Sequence, residues 1–257
     1  MTTDQPGYTA SELLAVMSAR LLRDGQVVFA GVGIPLLAAT LAQRLHAPGL
    51  TILFEGGVIG AFIEPGKLPP STNEQRCTRR ANMVLSSTDV LLLLQRGYVD
   101  IGFMGGAQID QYGNLNSSFI GDPQHPATRL PGTGGGNDIA SLTQMIVAMK
   151  HEKRRFVNRV DFVTSPGFLS GADTRREAGL TAGGMYRVVT DLGIFGFEEH
   201  SKEMQIRALH RGVSADDVQA NTGFELLVAK DLEITDPPSE HELAALRHLD
   251  PDRLYTA

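Results

Sequence analysis

Glu55 is the side chain whose sequence context best suits chemistry. It follows the apolar run 50–54 and precedes Gly56 and Gly57. A carboxylate at the carboxyl end of a sheet strand lies where open α/β sheets hold their ligands. The local sequence leaves another interpretation open, in which Glu55 ends its strand in water or caps a neighbouring helix. Glu55 is therefore a candidate site residue whose role has to come from other features.

Two glycine-rich segments could surround such a carboxylate with backbone amides. The segment 132–138 reads Gly-Thr-Gly-Gly-Gly-Asn-Asp and precedes an apolar run, so several of its amides could converge on one oxyanion. Gly31 and Gly33 follow a strand-like run and resemble the opening of a dinucleotide fingerprint, but Leu36 stands where the third glycine would be. Both segments could instead be structural turns. Amides at the helix start after Gly33 could still hold an anionic group.

Other catalytic and metal chemistries lack the residues they need. The seven histidines are scattered without partner carboxylates at ligand spacing, so no metal site is predicted. His151 and Glu152 begin like a zinc-protease motif, but Arg155 stands in place of the second histidine. Neither a Gly-x-Ser-x-Gly elbow nor a phosphate-binding loop with its Gly-Lys-Ser/Thr ending occurs. The single cysteine, Cys77, is interpreted as incidental, although flanking arginines could lower the pKa of its thiol.

The elements that must position these residues alternate between strand and helix. Thr9 and Glu12 form a predicted capping box, and Pro35 suits the first turn of a helix. Periodicity predicts helices over 10–23, 36–44, 88–96, 139–149 and 239–248, the third of them buried. It predicts strands over 26–30, 50–54, 101–104, 160–164 and 186–190, and then a hairpin of 194–197 with 204–209. The alternation predicts an α/β fold with an open, largely parallel sheet and flanking helices, and the proline-rich stretch 64–80 is a predicted surface excursion near the site.

Length and composition predict one soluble unit. The 257 residues, 42% of them hydrophobic, suffice for one sizeable core, so a single domain over 1–257 is expected. With 23 Lys and Arg against 29 Asp and Glu, the net charge of −6 disfavours nucleic acid and anionic membranes as partners. The start of the chain lacks the pattern of a secretory leader, and its apolar runs are too short to cross a bilayer, so no membrane association and a cytoplasmic location are expected.

Several long blocks, in order along the chain, carry a family resemblance. The blocks span 105–116, 120–129, 132–137, 151–156, 161–167 and 221–224. They resemble the β subunit of class I coenzyme A (CoA) transferases, and most closely the glutaconate CoA-transferase branch. The resemblance extends from about residue 10 to residue 230 and implies the open α/β fold of that family.

The resemblance also implies roles for particular residues. Phe54-Glu55-Gly56-Gly57 is similar to the family motif Ser-Glu-Asn-Gly, departing from it at the first and third positions, which makes Glu55 the predicted nucleophile. The predicted oxyanion-hole residues are Gly134 and Gly135. The predicted substrate and CoA contacts are Gly31, Gly33, Gly105, Gly106, Gln108 and Asn137. No metal and no prosthetic cofactor are expected, because the CoA thioester is itself the substrate, and an α subunit is expected to complete the site.

The implied reaction is transfer of CoA between an acyl-CoA and a carboxylate, with a short dicarboxylate such as glutaconate as the acyl group. A glutamate is already ionised at neutral pH, so it can attack a thioester without a general base, and ping-pong kinetics through a glutamyl-CoA thioester follow. Two alternatives remain. The chain could be a decarboxylase or hydrolase of an enoyl-CoA diacid, a change of reaction seen in relatives that have lost the glutamate, or a non-catalytic CoA-binding subunit.

Overall fold

Fourteen strands and seven α-helices lie within residues 7–257, the part of the chain that the computed structural model describes. The helices are α1 (Ala10–Arg20), α2 (Ile34–Leu45), α3 (Ser87–Gln95), α4 (Gly136–Leu142), α5 (Thr174–Glu177), α6 (Ala215–Ala220) and α7 (Glu240–Leu249). The strands are β1 (Val27–Ala30), β2 (Thr51–Leu53), β3 (Val58–Ile59), β4 (Met83–Val84), β5 (Ile101–Met104), β6 (Gln108–Ile109), β7 (Leu115–Asn116), β8 (Phe119–Gly121), β9 (Pro126–Arg129), β10 (Gln144–Ala148), β11 (Gly184–Val189), β12 (Gly193–Phe197), β13 (Met204–His210) and β14 (Leu227–Thr235).

Ten of these strands form one sheet in the order β14-β13-β12-β11-β10-β5-β1-β2-β3-β4. The five strands from β11 to β2 in this order are mutually parallel. Antiparallel pairs flank them, β3 and β4 on one side and β12 and β13 on the other, and β14 runs parallel to β13. This topology confirms the predicted α/β fold with a mostly parallel sheet.

Helices cover both faces of the sheet because side chains alternate along each central strand. In β1, Val28 and Ala30 pack in the core formed with α1, α2 and α7, whereas Phe29 packs on the opposite side with α3 and α4. Beyond β2, Phe54 packs toward the first group of helices. The next residue, Glu55, is therefore directed toward the side of α3 and α4.

The helix-start signals in the sequence are confirmed. The Glu12 amide donates to Thr9 Oγ1 at 3.1 Å and the Thr9 amide donates to Glu12 Oε2 at 2.8 Å, which is the predicted capping box at α1. Pro35 lies in the first turn of α2. Arg247 of α7 donates to Glu12 Oε1 at 2.7 Å and so ties the last helix to the first.

Two predicted elements are wrong, and a third forms as predicted but is less buried than expected. The expected helix over 139–149 is two elements, because α4 ends at Leu142 and the rest is the central strand β10; a strand buried on both faces reads as a continuous apolar run that periodicity cannot distinguish from a helix. The segment 160–164 is irregular, and its Phe162 is exposed. The helix α3 forms as predicted, but only Val90 and Leu94 within it are buried.

Arg175 fixes the carboxyl end of α4. Arg175 is 5% exposed, and its guanidinium donates to the carbonyls of Ala140, Ser141 and Ala182 at 2.8–3.0 Å and to two further carbonyls in 166–167. A cation is favourable beside the last carbonyls of a helix, although burial lowers the pKa of Arg175. The helix is thus held at the end opposite to Glu55.

Two buried histidines connect the strands on the β14 side of the sheet. His151 is stacked on Phe156 with ring centroids 3.9 Å apart, and its Nε2 lies 2.9 Å from Thr222 Oγ1. His210 Nε2 lies 2.9 Å from the Thr190 carbonyl. Burial lowers the pKa of both imidazoles, that of His151 to about 4. Both are therefore neutral in the folded chain at pH 7.

The buried imidazole of His151 should make stability fall as the pH is lowered. Because the unfolded chain has a histidine pKa of about 6.5, it binds the proton before the folded chain does as the pH falls below that value. The free energy of unfolding should therefore decrease by about 3 kcal/mol between pH 7 and pH 4 through this group. Urea unfolding of wild type and His151→Gln across this range measures the effect, since other titrating groups cancel in the difference. A stability difference that stays constant with pH would contradict it.

Candidate active site

Glu55 lies at the tip of a tight hairpin between β2 and β3. The Gly57 amide donates to the Phe54 carbonyl at 3.0 Å, and the Phe54 amide donates to the Val58 carbonyl at 2.9 Å. The chain thus reverses immediately after the parallel strand β2. The carboxylate is half-buried at the carboxyl edge of the sheet, as the sequence predicted.

The two glycines after Glu55 are required by close backbone packing. Gly57 has φ +101°, and a Cβ there would overlap the carbonyl oxygen of Leu85. A Cβ on Gly56 would lie 2.7 Å from Asn73 Oδ1, in the surface excursion. The hairpin tip is therefore clamped between the segment before α3 and the excursion, which holds Glu55 in place.

The glycine loop, residues 130–136, contacts the Glu55 carboxylate directly. The Gly135 amide donates to Glu55 Oε1 at 2.9 Å. Gly134 has φ +54°, and a Cβ there would lie 2.7 Å from the same oxygen. Gly135 thus supplies a donor, and Gly134 supplies the space that the carboxylate occupies. A Cβ on Gly135 would lie 2.9 Å from Leu91 Cδ2 of α3 and 3.5 Å from Glu55 Oε1, so the leucine and the carboxylate both pack against this glycine.

The structure brings four further predicted glycines to the same edge of the sheet. Gly31 and Gly33 follow β1, and Gly105 and Gly106 follow β5. Strands β5, β1 and β2 are adjacent and parallel, so their carboxyl ends lie side by side with Glu55. The segments 31–33 and 105–106, together with Glu55, are called the rim below; they lie along one edge of the sheet.

Asn137 and Gln108 differ from each other in their surroundings. Asn137 is exposed in the first turn of α4 and donates through Nδ2 to the Thr164 carbonyl at 3.1 Å. Gln108 is buried; its Nε2 donates to Asp161 Oδ2 at 3.1 Å and its Oε1 accepts from Asn116 Nδ2 at 2.7 Å. The amide of Gln108 is engaged inside the chain, an arrangement that fits a scaffold role better than the predicted contact with CoA.

Cys77 is buried, and burial raises the pKa of its thiol. The neighbouring Glu74 raises it further, and Arg76 only partly opposes this. The flanking arginines therefore do not produce a reactive thiolate. The expectation that they could lower this pKa is wrong, and the interpretation of Cys77 as incidental fits its surroundings.

Arg155 brings a cation to the rim. Its Nη1 lies 3.4 Å from the Gly106 carbonyl, and its Nε is 3.3 Å from Glu152 Oε2. Within residues 7–257, no three His, Cys, Asp or Glu side chains converge in a way that could hold a metal ion. The same part of the chain has no helix long and apolar enough to cross a membrane.

Sequence reasoning missed Thr164, which lies beside the glycine loop. Its hydroxyl accepts from the Ser117 amide at 3.0 Å, and its carbonyl accepts from Asn137. The block 161–167 is part of the family resemblance, but the strand predicted over 160–164 gives no indication that Thr164 bridges two loops. This bridge is formed by hydrogen bonds between residues far apart in the sequence.

Comparison with known proteins identifies relatives of this chain. A protein-family model described as Coenzyme A transferase matches residues 11–221. The β subunit of glutaconate CoA-transferase from Acidaminococcus fermentans is 38% identical over 98% of this chain and 96% of its own length. The crystal structure of that glutaconate CoA-transferase matches with a TM-score of 0.91 and 36% identity over 99% of both chains.

Two further relatives differ in the reaction that they are named for. The β subunit of 3-oxoadipate CoA-transferase from Pseudomonas knackmussii is 38% identical over 95% of this chain and 94% of its own length. The cholesterol ring-cleaving hydrolase IpdB subunit of Mycobacterium tuberculosis is 32% identical over 96% of each chain. The fold is thus shared by transferases and by at least one hydrolase.

Proposed function

The chain belongs to the coenzyme A transferase family and is a CoA-transferase subunit, and we propose that it moves CoA between short dicarboxylates through a glutamyl-CoA thioester on Glu55. The observation that carries this proposal is the contact between the Gly135 amide and Glu55 Oε1. One carboxylate oxygen is held by a backbone donor. Within residues 7–257, no hydrogen bond reaches the other oxygen, Oε2, which is the atom available for attack.

The first half-reaction needs no proton transfer. Glu55 Oε2 attacks the thioester carbon of the acyl-CoA; a C–O bond forms, the C–S bond breaks, and CoA leaves as a thiolate. The thiolate then attacks the Glu55 carboxyl carbon of the resulting anhydride; a C–S bond forms, the bond from this carbon to the bridging oxygen Oε2 breaks, and the donor leaves as a carboxylate that carries this oxygen. The acceptor carboxylate repeats both steps in reverse, which regenerates Glu55 and gives ping-pong kinetics.

The Gly135 amide is placed to stabilise the steps at the Glu55 carbon. When thiolate or acceptor attacks this carbon, Oε1 becomes the tetrahedral oxyanion, and the donor 2.9 Å away already points at it. A preorganised donor of this kind contributes about 3 kcal/mol of transition-state stabilisation. Gly134 leaves room for the tetrahedral carbon because it has no Cβ.

A dicarboxylate substrate agrees with the substrates that two relatives are named for and with the chemical groups on the rim. Glutaconate and 3-oxoadipate, named in the two relatives at 38% identity, are both dicarboxylates. The Gly31 amide donates to the Phe103 carbonyl at 2.9 Å and is therefore engaged inside the chain. The amides of the first turn of the twelve-residue helix α2, which begins after Gly33, are suited to a second carboxylate. Arg155 is a cation beside Gly106 on the same rim.

Glutaryl-CoA should be a better substrate than pentanoyl-CoA by tenfold or more in kcat/KM. The two acyl groups differ only in a terminal carboxylate against a methyl group, so the ratio isolates recognition of the second carboxylate; tenfold corresponds to about 1.4 kcal/mol. The assay is steady-state CoA transfer to a common acceptor by the complex of this chain with its partner subunit. Equal kcat/KM values for the two substrates, or a preference for pentanoyl-CoA, would contradict the proposed preference for dicarboxylates but not the proposed CoA transfer.

The same assay distinguishes CoA transfer from hydrolysis, the type of reaction for which the IpdB relative is named. A transferase releases no free CoA: the donor acyl-CoA is consumed in turnover only when an acceptor carboxylate is present, and the new acyl-CoA appears in equal amount. Acceptor-independent release of CoA would indicate a hydrolase, and release of CO₂ from glutaconyl-CoA would indicate a decarboxylase. Either result would overturn the proposed reaction.

A further inference from the structure

We infer that Thr164 is a positioning residue that holds the glycine loop against Glu55. The inference rests on the proposed function, since its consequence is a change in the catalytic rate. Thr164 is half-buried and contacts neither Glu55 nor Gly135 in the hydrogen bonds of residues 7–257. It acts through the segments at either end of the loop.

Thr164 is itself fixed by the strand β7. Its amide donates to the Leu115 carbonyl at 2.9 Å, and the Leu115 amide donates to the carbonyl of the next residue, Ser165, at 2.9 Å. These bonds form a short antiparallel bridge between Leu115 and Ser165. The Thr164 side chain therefore projects from a rigid position.

The Thr164 hydroxyl anchors the beginning of the glycine loop through two serines. Oγ1 accepts from the Ser117 amide at 3.0 Å and lies 2.7 Å from Ser118 Oγ. The carbonyls of the same serines accept from the loop, Ser117 from Gly132 at 2.8 Å and Ser118 from Leu130 at 3.0 Å. Removing the hydroxyl would remove its contacts with both serines and so weaken the support of the pair to which the loop is bonded, which the bond from the Ser118 amide to Asn116 Oδ1 at 3.0 Å would then hold.

The Thr164 carbonyl anchors the end of the loop. It accepts from Asn137 Nδ2 at 3.1 Å, directly after the loop enters α4. Between the two anchors lie Gly132 and Gly134, both at positive φ, so this stretch has little intrinsic stiffness. One residue thus restrains both ends of a short flexible loop, and the direction of the Gly135 amide depends on that restraint.

The expected consequence is a loss in kcat with little change in KM. The bond from Gly135 to Oε1 gains most when Oε1 carries the oxyanion charge, so misdirecting this donor weakens the transition state more than the bound substrate. A threonine that served only to stabilise the fold would affect the amount of folded enzyme and leave the turnover of folded molecules unchanged. The two roles therefore predict different kinetics.

Thr164→Val tests the inference, because it keeps the shape and removes the hydroxyl. We expect kcat to fall tenfold or more with the KM for acyl-CoA changed by less than about twofold. Thr164→Ser keeps the hydroxyl and should recover most of the wild-type kcat. Thr174→Val is the matched control, since Thr174 is a half-buried threonine whose hydroxyl bridges Phe168, Ser170 and Gly171 in a different loop. It should lower stability without lowering kcat.

The inference fails if Thr164→Val keeps kcat within twofold of wild type, or if Thr164→Ser loses as much kcat as Thr164→Val. Rapid-quench measurement of the CoA adduct distinguishes this failure from failure of the proposed function. If the wild-type complex forms no adduct with Glu55, the proposed mechanism is wrong. If wild type and Thr164→Val form the adduct at the same rate, the mechanism stands and only the role of Thr164 is refuted.

Discussion

Glu55→Gln should abolish CoA transfer by the assembled enzyme. Glutamine preserves the shape of the side chain and can still accept the bond from the Gly135 amide, but its amide nitrogen is not a nucleophile toward a thioester. Loss of a nucleophile removes the covalent route altogether, so the expected fall in kcat is at least about a thousandfold. The measurement is steady-state transfer by wild-type and variant complexes purified in the same way.

Cys77→Ser is the control for this experiment. The buried thiol, with its raised pKa, has no place in the proposed chemistry, so the variant should retain most of its turnover. If Glu55→Gln keeps substantial ping-pong turnover, the carboxylate is not the nucleophile. A hundredfold loss in Cys77→Ser at unchanged folding would point to the thiol instead.

The chain purified alone should lack transferase activity, and activity should appear when the partner subunit is added. Both relatives at 38% identity are named as subunits of CoA-transferases, and the rim around Glu55 opens to solvent. Exposed apolar side chains border this opening, among them Val32 after β1, Val84 in β4 and Leu92 in α3. A partner that covers them would exclude water and complete the acyl pocket. We therefore expect the rate of CoA transfer by the complex to exceed that of the chain alone by about a hundredfold or more.

Co-expression with an α subunit and assay of equal amounts of chain measure this effect. Leu92→Glu should weaken assembly by placing a charge on the apolar surface. Ile234→Glu is the matched control, because Ile234 is also exposed but lies in β14, at the edge of the sheet far from β2. A lone chain that transfers CoA at the rate of the complex would show that no partner is needed.

The central strands and the position of Glu55 were predictable because their signals are local. A short apolar run ending in Glu-Gly-Gly predicts a strand with a carboxylate at its end, whereas the role of Glu55 as a nucleophile came from the family resemblance and the close packing of Gly56 and Gly57 from the structure. The strand β10 was not predictable in the same way, since its run 144–148 is apolar on both faces and continues the apolar stretch of α4. The edge strand β14 was missed because it is rich in charged residues.

The supporting residues of the site depend on contacts that sequence spacing does not encode. Gln108 lies in a family-like block, but its partners Asn116 and Asp161 engage its amide inside the chain. Thr164 lies in an irregular segment, and its role follows only from bonds to residues 117–118 and Asn137. Local patterns located the candidate nucleophile at the end of its strand, whereas only the folded chain shows which residues surround it.

Peptide mapping of a covalent CoA adduct tests the central claim most directly. The assembled enzyme is incubated with an acyl-CoA in the absence of acceptor, quenched in acid, digested and analysed by mass spectrometry. We expect a mass gain of CoA less one water on the peptide that contains Glu55, lost when an acceptor carboxylate is added before quenching and absent in Glu55→Gln. An adduct on another residue, or turnover without any adduct on this peptide, would contradict it.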